Sequence, residues 1–198
     1  RMTGEMEKLV RSADSGRVVS EGIRTVILGK PNAGKSSLMN VLLGEERAIV
    51  TDIAGTTRDT LEEHIRMHGI SLNIIDTAGI RETDDVVEQI GVNRAKVAAD
   101  EADLIIYVVD GSRELDENDA QIMELICDRK AVVLLNKTDL ETVISEEMLQ
   151  EKTGKTIIPI SAKEETGIDK LEKTIQNLFY EGSIDFNDEV LITNVRHK

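Results

Sequence analysis

A chain of 198 residues, 40% of them hydrophobic, can bury the core of one domain with short extensions. Only 2% are aromatic and tryptophan is absent, so that core must be Ile, Leu, Val and Ala. A net charge of −14 argues against an extensive nucleic-acid footprint on this chain, and a single cysteine, Cys127, excludes an intrachain disulfide or a cysteine metal cluster.

Residues 1–20 are polar with scattered Leu and Val and read as a short helix with a turn at Gly16. The apolar run 23–28 predicts a buried strand, and 36–43 a helix after a glycine-rich loop. Residues 44–60, rich in Gly, Thr and Asp, read as a loop. The runs 60–68 and 70–76 predict a strand pair turning at His68-Gly69. After a second polar loop at 77–87, helical spacing runs from Glu88 to Asp100. Strands follow at 104–109, 131–135 and 156–160, with helices at 117–129, 145–152 and 167–180. This alternation predicts an α/β fold: about six strands, mostly parallel with one antiparallel, helices on both faces, and function on loops at the carboxyl ends of the strands. The absence of a signal peptide or long apolar run reads as a soluble, cytoplasmic protein, and the ends read as those of an excised domain.

The chemistry concentrates in those loops. G-K-P-N-A-G-K-S at 29–36 is the phosphate-loop pattern G-x4-G-K-[ST], set between a strand and a helix as its mechanism requires. Glycines let the backbone wrap a phosphate, and the following helix presents its positive end. Asn32, Ala33, Gly34, Lys35, Ser36 and Ser37 are the candidate phosphate-binding residues. Lys35 reaches for the β- and γ-phosphates, and the Ser36 hydroxyl for Mg²⁺. Asp76-Thr77-Ala78-Gly79 follows a strand end, where Asp76 suits Mg²⁺, usually through water, and the Gly79 N–H a γ-phosphate. One threonine of Gly55-Thr56-Thr57-Arg58-Asp59 would complete the Mg²⁺ shell, making that loop a switch.

Asn136-Lys137-Thr138-Asp139 selects guanine: the Asp139 carboxylate accepts from N1–H and the 2-amino group, and adenine would leave that charge unpaired. The Lys137 stem can lie along the base. Ser161-Ala162-Lys163 supplies a backbone N–H for the guanine O6. The residue after D-x-x-G is Ile80, which cannot orient water, and no arginine finger is evident. Asn32 has a carbonyl oxygen that can ligate a hard cation beside the phosphates, or simply cap the loop. Of Glu82, Asp84, Asp85 and Glu88, residue type alone singles out none as the water-orienting acid.

Together these motifs resemble the translation-factor-like class of P-loop GTPases. T-D-I-A-G-T-T-R-D at 51–59, Glu63-His64-Ile65, D-T-A-G-I-R at 76–81, then Glu88, Ile90-Gly91 and Arg94-Ala95 carry the likeness further. With the tail Thr193-Asn194 and Arg196-His197, the chain is similar to the G domain of the MnmE (TrmE) family of tRNA-modification GTPases. The resemblance implies a GTPase domain over 21–181, with 1–20 and 182–198 as flanks of a helical domain. It implies Mg²⁺-dependent GTP hydrolysis with Ser36, Thr57 and Asp76 around the metal, and K⁺ held by Asn32, Thr51, Ile53 and Thr56. Catalytic roles go to Glu88, Lys35 and Thr57, with the two switches reordered when two G domains dimerise. Arg81 either supports that arrangement or makes a surface salt bridge. The implied partners are GTP and GDP, and, through the full-length protein, MnmG (GidA) and tRNA whose wobble uridine is modified; no membrane is implied. The folate domain and C-terminal cysteine motif of the family are absent from this chain. Ribosome-assembly GTPases such as Era or Der, and a slow nucleotide switch, are the alternatives.

Three sets of residues read as structural. His64, His68 and His197 are too scattered for a metal site. Cys127 and the methionines Met39, Met123 and Met148 read as packed, and the acidic run 116–119 as a solvated helix start.

Overall fold

Six strands form one sheet in the order β2-β3-β1-β4-β5-β6, in a computed structural model that describes residues 16–44, 63–67, 69–75 and 88–180, the side chains of 88–93 excepted. They are β1 (Ile23–Leu28), β2 (Glu63–Met67), β3 (Ile70–Ile74), β4 (Leu104–Asp110), β5 (Ala131–Asn136) and β6 (Thr156–Pro159). The helices are α1 (Lys35–Leu42), α2 (Glu88–Glu101), α3 (Glu117–Ile126), α4 (Glu146–Thr153) and α5 (Ile168–Tyr180). Only β2 runs antiparallel, against β3; the other pairings are parallel. The expected α/β architecture, including its one antiparallel strand, is the one found.

The sequence explains the difference between centre and edge. Every residue of β4 and β5 is buried, as expected of parallel strands covered on both faces. In β3 buried positions alternate with half-buried ones. Along β4, Leu104, Ile106 and Val108 join one core while Ile105, Tyr107 and Val109 join the other. The first core is capped by Leu38, Met39 and Leu42 of α1 and Ile168, Leu171 and Ile175 of α5. The second is capped by Ala98 and Ala99 of α2, Met123 and Ile126 of α3 and Leu149 of α4. A period of two thus divides one sheet between two helical layers.

The chain runs from β1 through the β2–β3 hairpin on one side and returns to β4 on the other side of β1. That reversal opens the crevice in which α/β proteins place ligands, just beyond the end of β1.

Several local expectations are corrected. Gly16 is no turn: residues 16–21 are helical, with Val18 in the first core. Arg17 ties that lead-in to Asp103 at 2.6 Å. Cys127 is not packed; it is exposed at the C-cap of α3, because the helix stops at Ile126, short of the predicted 129. Met148 is 42% exposed, whereas Met39 and Met123 are buried as expected. His64 lies half-buried in β2, its Nδ1 2.8 Å from the Asn73 carboxamide oxygen. His68 and His197 lie outside the described residues.

Candidate functional site

Three loops meet at the carboxyl ends of β1, β5 and β6. The first begins at Gly29, where a side chain is impossible: a Cβ there would stand 2.5 Å from the Val108 carbonyl oxygen of β4. The loop then turns through Asn32 in a left-handed conformation (φ 62°) and Gly34 (φ 106°), the N-cap of α1. Among the described residues no side chain caps α1, and its first turn holds no acidic residue to offset the positive end of the helix. The Lys35 ammonium folds back to donate to the carbonyls of Gly29 at 2.6 Å and Lys30 at 2.8 Å. Asn32, Ser36 and Ser37 are exposed, Lys35 and Gly34 half-buried, and Ala33 buried.

Asn136, the last residue of β5, is buried and fastens the other two loops to the first. Its Nδ2 donates to the Ala33 carbonyl at 2.8 Å, and its Oδ1 accepts from the Ala162 N–H at 3.0 Å. A Cβ on Gly34 would lie 2.0 Å from that same Nδ2, so the second loop glycine is required by Asn136 as well as by its own φ. Of the S-A-K segment expected to offer a backbone N–H to the guanine O6, the Ala162 N–H is engaged by Asn136. Thr138 adds two bonds to the Ile160 carbonyl, through its N–H at 3.2 Å and its hydroxyl at 2.9 Å.

Asp139 is exposed, and the Ser161 hydroxyl donates to its Oδ1 at 2.6 Å. That bond, helped by the nearby charges of Lys163 and Lys137, holds its carboxyl below the usual carboxylate range, so it is ionised and ready to accept. Ser161 is buried and Lys163 exposed. Lys137 has a left-handed backbone (φ 65°), and its ammonium donates to Asp110 at 2.6 Å.

Two anchors escaped the sequence reading. Asp110 closes β4, buried, with Lys137 on one oxygen and the Ser112 N–H and hydroxyl on the other. Burial pushes its carboxyl up, but those partners outweigh it and the group titrates below its usual value. The signal was present: Asp110 is the first polar residue after six consecutive residues of L-I-I-Y-V-V. The second anchor corrects the reading of 116–119 as a solvated run. Asp116 and Asp119 form a capping box on α3. Asp119 is 2% exposed and receives the Tyr107 hydroxyl at 2.7 Å, while Lys30 of the first loop pairs with Asp119 at 2.7 Å and Asp116 at 2.9 Å. A phenol inside an apolar strand needs such a partner.

Thr51, Ile53, Thr56, Thr57, Asp76 and Gly79 lie outside the described residues. Glu88 opens α2. Among the described residues no cluster of His, Cys, Asp and Glu could hold a metal ion, and no helix is long and apolar enough to cross a membrane.

The arrangement has known counterparts. A family model described as 50S ribosome-binding GTPase matches residues 24–137. A tRNA modification GTPase MnmE of Lachnoclostridium phytofermentans is 59% identical over 98% of this chain, and one of Alkaliphilus metalliredigens 52% identical over 98%. The chain spans 42% and 43% of the length of these two relatives. A crystal structure of Era from Aquifex aeolicus with GDP and AlF4⁻ superposes with a TM-score of 0.57 at 30% identity, covering 81% of this chain and 58% of that one. With its phosphate loop built as described and over half its length matched, the chain belongs to the 50S ribosome-binding GTPase family and is a domain that uses Mg²⁺ to hydrolyse GTP.

Proposed function

We propose that the chain is the GTPase domain of a tRNA-modification GTPase of the MnmE type, hydrolysing GTP with Mg²⁺, stimulated by K⁺ and coupled to dimerisation of two such domains. The observation that carries this reading is identity of 59% across nearly the whole chain, against 30% for Era, the ribosome-assembly alternative. Within the full-length protein it acts in the cytoplasm with MnmG (GidA) on the wobble uridine of tRNA. The domain proper is 21–181, flanked by 1–20 and 182–198 of a helical domain.

In this reading the N–H groups of 32–37 and the Lys35 ammonium bind the β- and γ-phosphates. The acid-free first turn of α1, with Gly34 as its N-cap, supports an anion there. The base lies against Lys137 and is selected by Asp139, and its O6 accepts from a backbone N–H of 161–163. Ser36, Thr57 and Asp76 would hold Mg²⁺; their hydroxyl and carboxylate oxygens are the hard donors this ion takes, and Ser36 is exposed at the first turn of α1. When bound, the ion neutralises charge on the β- and γ-phosphate oxygens. Gly79 donates its N–H to the γ-phosphate. Asn32, Thr51, Ile53 and Thr56 would hold K⁺, whose charge would stand in for an arginine finger; the left-handed, exposed Asn32 supports an accessible loop position. Glu88 orients the attacking water.

Steady-state GTP hydrolysis in KCl and in NaCl at equal ionic strength, over a range of protein concentrations, tests this. The expected result is faster turnover in K⁺ and specific activity that climbs with concentration. Equal rates in both salts with flat specific activity would overturn the K⁺ and dimer roles.

A further inference from the structure

We infer that Asp110 is a positioning residue for the guanine base, acting through Lys137; this rests on the guanine-nucleotide reading above. Asp110 sits opposite Asn136 in the β4–β5 register, so its carboxylate lies beside the start of the base-selecting turn. Its side chain is 5% exposed. A carboxylate placed there is costly unless its oxygens are satisfied, and they are: Lys137 Nζ at 2.6 Å on Oδ2, Ser112 N at 3.0 Å and Ser112 Oγ at 2.6 Å on Oδ1. The Arg113 guanidinium, mostly exposed, stands farther off at 3.8 Å.

Two consequences follow for a base. A lysine stem is flexible, and ordering it on binding costs affinity. Fixing the ammonium at one end, with the left-handed backbone of Lys137 at the other, holds the four methylenes as a preformed apolar shelf. The same pair also keeps the ammonium occupied. A loose Lys137 would compete for the Asp139 carboxylate, two residues on, which must stay open to the guanine N1–H and 2-amino donors. Ser161 holds that carboxylate independently.

The test is a double-mutant cycle on fluorescently labelled GDP affinity with Asp110→Asn, Lys137→Met and the double variant. Each single variant is expected to weaken GDP binding by about tenfold, and the double variant to be no weaker than Lys137→Met alone. In GTP turnover the Asp110→Asn loss is expected in KM rather than kcat. Additive losses, or unchanged GDP affinity in Asp110→Asn, would overturn the inference, since a merely structural carboxylate acts independently of Lys137. If Asp110→Asn does not fold, Ser112→Ala replaces it, with a loss of about twofold expected from one removed hydrogen bond and no loss counting against the role. Wild-type protein binding labelled ADP as tightly as labelled GDP would sink the guanine reading itself. Guanine preference with an additive cycle sinks the role of Asp110 alone.

Discussion

The carboxamide of Asn136 donates to the carbonyl of Ala33 at 2.8 Å, joining two loops 103 residues apart in sequence, while its oxygen holds the Ala162 N–H. One buried side chain therefore sets the spacing between the phosphate loop and the base-selecting loops. Asn136→Ala leaves both backbone groups without their partner, a loss of roughly 1–3 kcal/mol. We expect that loss in urea unfolding without nucleotide, together with weaker GDP binding. Gly34→Ala attacks the same contact from the other side and should weaken binding too, because its Cβ would meet Nδ2 at 2.0 Å.

Asp119 should matter to stability more than its place in an acidic run suggests. Asp119→Ala strands the Tyr107 hydroxyl in the core, removes one of two Lys30 partners and breaks the α3 capping box. A loss of roughly 2–4 kcal/mol follows. Tyr107→Phe removes only the hydroxyl and should cost about 1 kcal/mol. Chemical denaturation of both variants checks the order; equal losses would mean that neither the Lys30 link nor the capping box contributes.

The pH dependence has a definite sign. Asp110 and Asp116 titrate below their usual 3.8 in the folded chain. Asp110 does so because Lys137 and Ser112 outweigh burial, Asp116 chiefly through Lys30. A depressed carboxylate stabilises the fold fully above its unfolded pKa and loses that contribution as pH falls through the folded value. The window is therefore below pH 3.8. Asp110→Asn should lower stability at neutral pH and flatten the acid-unfolding slope there. Lys30 runs the other way: burial lowers its pKa, but Asp119 and Asp116 raise it above 10.5. Its contribution is whole below 10.5 and lost as pH rises through the folded value, so Lys30→Met should flatten the alkaline limb.

Glu88→Ala should leave GDP and GTP affinity within about twofold of wild type and cut turnover by two orders of magnitude or so, the scale typical of a lost acid–base or water-positioning group. Single-turnover hydrolysis measured beside equilibrium binding separates the two. Unchanged turnover would remove Glu88 from the reaction and return the question to Glu82, Asp84 and Asp85.

The strand and helix order was legible because each element carries its own period. β4 and β5, apolar up to their last residues, and the alternating β3 differ in burial pattern as their sequences do. The ends of elements were less legible. The predicted helix over 117–129 stops at Ile126, and Cys127 is left in the open, because ending a helix depends on capping and packing that periodicity does not encode. Met148 reads as apolar in any alphabet, yet its exposure is a fact of where α4 lies on the sheet.

The motifs and their order are written in the residues alone: a loop of glycines, lysine and serine, then N-K-x-D, then S-A-K, each after a strand. Local spacing suffices there because each motif is a turn whose backbone geometry its own residues impose. Which polar side chains hold those turns to one another follows from the packing of the strands. Asp110 with Lys137, Asp119 with Lys30 and Tyr107, and Asn136 with Ala33 and Ala162 are all partners distant in sequence. A buried polar group must find its partner wherever the packed sheet brings one within hydrogen-bonding reach, and that distance exists only once the strands are side by side.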